Sequence, residues 1–347
     1  MAIVGGFDVH RAQITFDYLV TETGEVTTGQ IRPAARPVLR TWLARFHGRH
    51  DVAFALEGCT GWRFVVEELL RAGIEPHLAE PADTATQRGR KKRAKTDRTD
   101  ARLLRDLLVQ RRLPESWIPP SHVLEVRTLA RLYVALMAER RAWQQRMHAQ
   151  LFHHGVPAAR GLLTRDGRAT LASAELSSAG RQMVQTALTA IDALNEQVMP
   201  LKAQLQAIGA HQPAVLALTR HYGIGLLSGT VIWAELGDCR RFAHPQQVVR
   251  FAGLDITVRS SDTRRAPGHL ARQGSPVLRW ALFEAAQAAA RDASPDHAYY
   301  QAVRARLDGK LAALAMARKL ARRCYHTLRE LDADAWQVLP HELLQAA

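Results

Sequence analysis

The sequence is poor in cysteine and has no long apolar run. Its three cysteines, Cys59, Cys239 and Cys324, lie far apart and form no Cys-x-x-Cys motif. This spacing argues against a structural zinc site and is typical of free thiols in a reducing compartment. The sequence contains no stretch of about 18 apolar residues and no signal-peptide or lipidation pattern. It therefore predicts a cytoplasmic protein without a membrane partner.

Acidic residues are scarce relative to basic ones. The chain has 47 Lys and Arg against 33 Asp and Glu, which gives a formal net charge of +14 and a pI near 10.5. A surplus of this size favours a polyanionic partner such as a phosphate backbone. The 347 residues are enough for about two or three domains. We therefore expect a multidomain protein that binds nucleic acid.

The basic surplus is densest just before a pair of aspartates, Asp97 and Asp100, which open a helical pattern. Residues three apart share a helix face, so these two carboxylates could hold a divalent cation. The alternative is a solvated charged loop in which Asp97 caps the helix. The basic residues expected to contact nucleic acid here are Arg88, Arg90, Lys91, Lys92, Arg93 and Lys95.

The first part of the chain alternates between strand and helix patterns. Three strand patterns come first, and two further apolar strands follow, each after a helical pattern. An antiparallel start followed by alternation predicts a mixed sheet of the ribonuclease H type. Asp8 ends the first predicted strand and Glu57 ends the fourth. The carboxyl ends of strands are where an α/β sheet places its site.

Asp8, Glu57, Asp97 and Asp100 together form a candidate metal site. Four carboxylates at one sheet edge would repel one another unless cations neutralised them. Two Mg²⁺ ions about 4 Å apart would do so while supporting phosphoryl transfer. Each acid also has a simpler explanation, with Asp8 as a turn cap and Glu57 as a loop residue. We predict Mg²⁺ as the cofactor, with Mn²⁺ as the alternative.

The middle of the chain is predicted to be helical. Val184, Ile191, Val198 and Leu205 lie seven residues apart, which is the spacing of a coiled-coil seam. This seam would pack either as a helical hairpin within one chain or between two copies, and the pattern leaves both open.

Two glycines divide the next helical segment. Gly223-Ile224-Gly225 separates two helical patterns, which predicts a helix-hairpin-helix or a plain αα corner. In a helix-hairpin-helix the backbone N–H groups around both glycines would bind a phosphate.

A polar segment at residues 251–280 combines glycines, arginines and the pair Ser260 and Ser261. Glycine lets the backbone approach a phosphate, arginine stabilises its charge, and a serine hydroxyl can attack it. A lone serine is also an ordinary turn residue. The arginines expected to contact nucleic acid are Arg264, Arg265, Arg272 and Arg279. The basic helix at residues 311–328 is either a nucleic-acid face or ordinary surface.

Three acidic blocks give the chain a resemblance to a known family. They are GFDVH around Asp8, ALEGCTGW around Glu57, and KTDRTDARLL around Asp97 and Asp100. In order and spacing they resemble the DEDD-type insertion-sequence transposases, also described as bridge-RNA-guided serine recombinases. The resemblance covers nearly the whole chain and makes the four acids metal ligands. It implies a RuvC-like domain at 1–120, a helical coiled-coil region at 121–210, and a mostly α Tnp domain with a helix-hairpin-helix at 211–347.

The same resemblance implies a serine nucleophile and several partners. Counting from Leu254 puts Ser261 at the family's nucleophilic position. Ser260 is the reserve candidate, because Asp262 stands where many members have glycine. The implied activity is site-specific DNA recombination in a bacterial, nucleoid-associated setting. Its implied partners are donor and target DNA, a structured noncoding RNA, and other copies of the chain as dimers that assemble into tetramers.

Two other functions fit the residues. A metal-dependent Holliday-junction resolvase or nuclease would use the acids and no serine. A non-catalytic nucleic-acid-binding protein would need neither. Substitution of Ser261 and of Asp100 distinguishes the three.

Overall fold

The computed structural model describes residues 2–87, 96–157, 161–257, 260–261, 264–265 and 268–331, with Val338 and Leu344. The chain divides into two compact units, Met1–Ile118 and Pro119–Ala347. The first contains a mixed α/β sheet and the second is mostly helical. This arrangement agrees with the predicted order of an α/β part followed by a helical part.

Within its described residues, the first unit is built on a five-stranded sheet. The strands are β1 (Ile3–Val9), β2 (Ile14–Val20), β3 (Val26–Ile31), β4 (Val52–Glu57) and β5 (Glu75–Ala79). Their order across the sheet is β3-β2-β1-β4-β5. The first three strands pair antiparallel, and β1, β4 and β5 run parallel. The predicted mixed sheet is therefore confirmed.

Two helices cover one face of this sheet. The helices of the first unit are α1 (Arg36–Leu43), α2 (Trp62–Arg71), α3 (Pro81–Thr86) and α4 (Asp97–Val109). Alternate apolar residues of the strands meet α1 and α2 in an aromatic-rich core. Phe7 stacks on Phe54 with ring centroids 4.5 Å apart, and Trp42 of α1 meets both rings edge-on. Burial of this face fixes the register of β1 and β4.

Helix α4 covers the other face, where the strands carry small residues. It contacts β1, β2 and β4, and its Leu104 and Leu108 pack on Ala53 and Ala55. Because side chains alternate along a strand, the residues of β1 and β4 that face α4 end with Asp8 and Glu57. The sheet therefore delivers both acids to the side on which α4 lies.

The second unit is a helical assembly. Its helices are α5 (Ser121–His153), α6 (Arg165–Ser173), α7 (Ser178–Ala210), α8 (Pro213–Leu218), α9 (Leu226–Leu236), α10 (Pro245–Phe251), α11 (Pro276–Gln287), α12 (His297–Arg306) and α13 (Gly309–Glu330). Helix α9 packs against α5, α7 and α11, and it buries Trp233 completely. Among the described residues, no helix combines the length and apolar character needed to cross a bilayer.

The predicted heptad seam lies on α7 and is buried within this unit. Val184, Ile191, Val198 and Leu205 are all at most 4% exposed. Helix α7 packs along α5 and against α9. Of the two alternatives that the pattern left open, packing within one chain accounts for the burial of the seam.

Candidate metal centre

Strand pairing brings Asp8 and Glu57 side by side. The parallel register of β1 and β4 ends at Phe7 opposite Leu56, so the next residue on each strand is one of the two acids. Both side chains point to the face covered by α4, as the alternation along each strand requires. Glu57 ends β4 as the sequence predicted, whereas Asp8 is followed by Val9 within β1.

Helix α4 supplies the other two acids from its first turn. Thr96 caps the helix: its Oγ1 accepts from the Thr99 backbone N–H at 3.2 Å, and its own N–H donates to Thr99 Oγ1 at 3.0 Å. Asp97 and Asp100 follow the cap, where the helix dipole favours negative charge. The alternative in which Asp97 itself caps the helix is therefore wrong, and its carboxylate points into the acidic cluster.

A histidine joins two of these carboxylates. The Nε2 atom of His10 lies 3.1 Å from Oδ2 of Asp8 and 3.6 Å from Oδ1 of Asp97. Ligand atoms of Asp8, His10 and Asp97 all fall within 4.8 Å of one another. Gln13 donates from Nε2 to Oδ2 of Asp97 at 3.0 Å, which orients that carboxylate. Neither His10 nor Gln13 was assigned a role from the sequence.

The electrostatics of Asp8 reflect this crowding. Partial burial raises the pKa of Asp8, and the charges of Asp97 and Asp100 raise it further, while contact with His10 opposes the increase. Burial also raises the pKa of the Cys59 thiol, with added contributions from the charges of Asp8 and Glu57. All four acids are therefore close enough to influence a neighbour's titration. A divalent cation would relieve this repulsion, and carboxylate oxygens are the ligands that hard divalent cations prefer.

The predicted serine segment forms short strand pairs in the second unit. Strand β6 (Ile256–Thr257) pairs with β9 (His269–Leu270), and β7 (Ser260–Ser261) pairs with β8 (Arg264–Arg265). The sequence predicted a polar loop here, because strands of two residues are too short for an alternating pattern. Ser261 therefore lies on a hairpin, and its backbone partner is Arg264.

Two arginines at the base of this hairpin differ in exposure. Arg279 donates from Nη1 to the Ala252 carbonyl oxygen at 3.1 Å, and burial lowers its pKa. Arg272 is exposed and has a φ of 54°. Of the two predicted nucleic-acid contacts, Arg279 holds the protein backbone and Arg272 is available at the surface.

The two hairpin glycines between α8 and α9 have different surroundings. Gly223 has a φ of +92°, and a Cβ placed there would lie 2.3 Å from the Ala285 carbonyl oxygen. Gly225 faces open space, and its N–H donates to Ser228 Oγ at 3.1 Å. The positive φ and the close carbonyl oxygen therefore require glycine at position 223, whereas the space beside Gly225 is open; both glycines are exposed.

The basic residues of α13 are largely engaged within the unit. Lys319 and Arg323 bind the buried carboxylate of Asp296 at 2.7 and 2.6 Å, and Arg318 donates to the Leu254 carbonyl oxygen at 2.6 Å. Arg322 is exposed. Three of these four basic residues of the predicted helix at residues 311–328 thus stabilise the fold. The predicted contacts Arg88, Arg90, Lys91, Lys92, Arg93 and Lys95 lie outside the described residues.

Two segments of the chain match known protein families. Residues 6–154 match a family described as a transposase, the DEDD transposase of IS110 elements. Residues 216–301 match the family described as Transposase IS116/IS110/IS902. Each match contains one of the two segments described above, the acidic cluster in the first and the serine hairpin in the second.

Curated relatives carry names of the same kind. The protein y4rJ of Sinorhizobium fredii, named as a transposase, is 31% identical over 248 residues, which are 64% of this chain and 62% of the relative. An insertion element IS110 protein of Streptomyces coelicolor is 31% identical over 36% of this chain and 31% of its own length. A second Sinorhizobium fredii protein named as a transposase, y4qE, is 26% identical over 56% and 48%. The chain thus matches less than two thirds of the length of each.

The acidic cluster of the first unit and the serine hairpin of the second thus lie in segments that match transposase domains of the IS110 family, residues 6–154 and 216–301.

Proposed function

We propose that the chain is the DNA-cleaving and strand-exchanging transposase of an insertion element, and that it works with a divalent cation. One observation carries the proposal: ligand atoms of Asp8, His10 and Asp97 lie within 4.8 Å of one another, in a chain that matches transposase family models. Glu57 ends the strand beside β1, and Asp100 follows Asp97 on α4. A cation bound there would polarise the scissile phosphodiester. Mg²⁺ is the expected cation, and His10 adds a nitrogen donor that Mn²⁺ accepts readily.

Ser261 is the proposed nucleophile. Its hydroxyl would attack the scissile phosphorus and form a phosphoserine bond, while the bond from phosphorus to the 3′ oxygen breaks. The serine gives up one proton and the 3′ oxygen takes up one, so the leaving group is a free 3′ hydroxyl. Because the phosphoserine ester conserves the bond energy, the 3′ hydroxyl of another strand can reverse the step without ATP. The support is the position of Ser261 on a hairpin flanked by Gly253, Gly274 and the exposed Arg272.

The proposed ligands and the proposed nucleophile belong to different compact units. This separation supports a composite site in which one copy supplies the acids and another supplies the serine, as in the dimers and tetramers that the resemblance implies. The resemblance also supports a structured noncoding RNA that pairs with donor and target DNA. Base pairing by the RNA would then determine which DNA sequence is recognised. The net charge of +14 would favour binding to the phosphate backbones of both the RNA and the DNA.

Denaturing gels test this mechanism. The purified chain is incubated with DNA spanning the element junction, the flanking noncoding RNA and Mg²⁺. We expect a covalent protein–DNA adduct that is lost in Ser261→Ala and in Asp100→Asn. Matched controls are Ser260→Ala on the same strand and Glu25→Gln, an exposed acid between β2 and β3. If Ser260→Ala removes the adduct and Ser261→Ala does not, the nucleophile is Ser260.

The same gels separate the alternatives. A metal-dependent resolvase or nuclease would cleave without any adduct in Ser261→Ala, which would refute the serine step. A non-catalytic nucleic-acid-binding protein would give neither cleavage nor an effect of Asp100→Asn.

A further inference from the structure

Two of the four proposed metal ligands lie on α4 and two on the sheet, so their spacing depends on where α4 sits along β1. One contact that fixes this position is at Gly6. A Cβ at Gly6 would lie 2.1 Å from the Ala101 carbonyl oxygen and 2.8 Å from the Arg105 backbone nitrogen. The backbone of α4 therefore rests directly on β1, with no room for a side chain between them.

A buried ion pair between α4 and β2 lies at the same level of the sheet as Gly6. Gly6 on β1 pairs with Asp17 on β2, and the Asp17 carboxylate forms an ion pair with Arg105 of α4. Asp17 is completely buried and Arg105 is 8% exposed. Arg102 lies one turn away, with Nε 3.6 Å from Oδ2 of Asp17. One residue of α4, Arg105, thus touches β1 through its backbone and β2 through its side chain.

The distances along strand and helix then match. Asp8 lies two residues beyond Gly6, or about 6.6 Å along the strand. Asp97 lies four residues before Ala101, or about 6 Å along the helix. These two distances are nearly equal. Contact at Gly6 therefore places Asp8 and Asp97 opposite each other, and His10 contacts both.

We propose that Gly6, Asp17 and Arg105 form an anchor, here called the α4 anchor, that sets the spacing of the metal-binding carboxylates. These are positioning residues, and the inference rests on the proposed metal function of Asp8 and Asp97. Metal sites tolerate only about 0.5 Å of misplacement. An alanine Cβ at position 6 would lie 2.1 Å from the Ala101 carbonyl oxygen, and ordinary contact begins at 3.4 Å, so α4 would have to move by at least 1.3 Å.

Mn²⁺ binding to the whole chain, measured by electron paramagnetic resonance without DNA, tests the anchor independently of catalysis. The test variant is Gly6→Ala. The matched control is Gly5→Ala on the same strand, whose Cβ would lie 2.1 Å from the Phe54 ring on the opposite face of the sheet. Both variants crowd the sheet, and only Gly6→Ala displaces α4. We expect Mn²⁺ affinity to fall tenfold or more in Gly6→Ala and to stay unchanged in Gly5→Ala. A loss of about this size is seen when groups that support metal ligands are removed.

A milder variant covers the case in which Gly6→Ala does not fold. Asp17→Asn keeps the size of the side chain and removes the charge that holds Arg105. Its control is Asp51→Asn, which removes an exposed ion pair with Arg49. Circular dichroism establishes which variants are folded. Weaker Mn²⁺ binding in folded Asp17→Asn, with unchanged binding in Asp51→Asn, supports the anchor.

If Gly6→Ala is folded and binds Mn²⁺ with wild-type affinity, the proposed α4 anchor is wrong. If Gly6→Ala is unfolded, wild-type Mn²⁺ affinity in Asp17→Asn leads to the same conclusion. The variant Asp8→Asn shows whether only the proposed anchor is wrong or the proposed metal-dependent function is wrong as well. If Asp8→Asn binds Mn²⁺ as well as the wild type, the metal lies elsewhere and the proposed function fails together with the anchor. If Asp8→Asn binds poorly and Gly6→Ala binds normally, only the anchor is wrong.

Discussion

At the scale of single residues, the acids of the cluster could be predicted from the sequence and their partners could not. Asp8 and Glu57 follow apolar strands, and Asp97 and Asp100 open a helix, so pattern alone points to them. His10 lies just beyond β1, in a turn whose conformation no periodicity determines. Its contact with Asp97 spans 87 positions of the chain and depends on how α4 packs.

The position of His10 predicts a selective effect on metal binding. His10→Ala should lower Mn²⁺ affinity by about tenfold, because an imidazole donor is lost, and should change Mg²⁺ affinity less, because Mg²⁺ prefers oxygen ligands. Calorimetric titration with each ion measures both. His50→Ala, at an exposed histidine of the same unit, is the control. Unchanged or tighter Mn²⁺ binding in His10→Ala would mean that His10 hydrogen-bonds to the carboxylates and is not a ligand of the ion.

At the scale of elements, the long regular segments were predictable and the short ones were not. The heptads of α7 and the apolar strand β4 repeat often enough to specify their type. The two-residue strands β6 to β9 carry no such repeat, and long-range pairing creates them. The same limit applies to α13, whose charges left a nucleic-acid face and ordinary surface equally open, whereas Asp296, outside the helix, binds two of them.

Two histidines in the second unit predict a pH dependence of stability. His122 lies against the Trp233 ring, and burial lowers its pKa. His221 contacts Thr327 Oγ1 through Nε2 at 2.8 Å, and burial, together with the charge of Arg323, lowers its pKa. Both are neutral in the folded chain at pH values where the unfolded chain takes up protons. Their stabilisation is therefore complete above about pH 6.5 and decreases as pH falls through the folded pKa values.

Urea denaturation at pH 7.5 and pH 5.5 measures this dependence. The wild type should lose more unfolding free energy between the two pH values than the double variant His122→Gln/His221→Gln. Carboxylates contribute equally to both proteins, so the difference isolates the histidines. Equal losses in the two proteins would contradict the assignment.

At the scale of the whole molecule, the number of basic residues overstates how many a nucleic acid can contact. Arg323 and Lys319 bind Asp296, and Arg105 binds Asp17. Composition could predict a nucleic-acid partner, but it could not separate these buried pairs from the exposed charges, because that division arises only from packing.

Arg323 and its neighbour Arg322 provide a test of this division. Arg323→Ala should lower the unfolding free energy by about 2 kcal/mol, because the buried Asp296 loses a charged hydrogen-bond partner. It should leave the salt dependence of duplex DNA affinity unchanged. Titrations between 50 and 200 mM salt measure this, since each lost phosphate contact lowers the log–log slope by about 0.9. Exposed Arg322→Ala is the control for stability, and a reduced slope in Arg323→Ala would show that Arg323 contacts DNA.

The close approach of α4 to β1 also bears on how copies of such an element are judged in a genome. A copy with alanine at position 6 would retain Asp8, Glu57, Asp97 and Asp100 and would be counted as intact by its acids. Its α4 helix would nevertheless be displaced by at least 1.3 Å from the position in which those acids meet. A single methyl group, outside any list of catalytic residues, would then separate a mobile copy from a silent one.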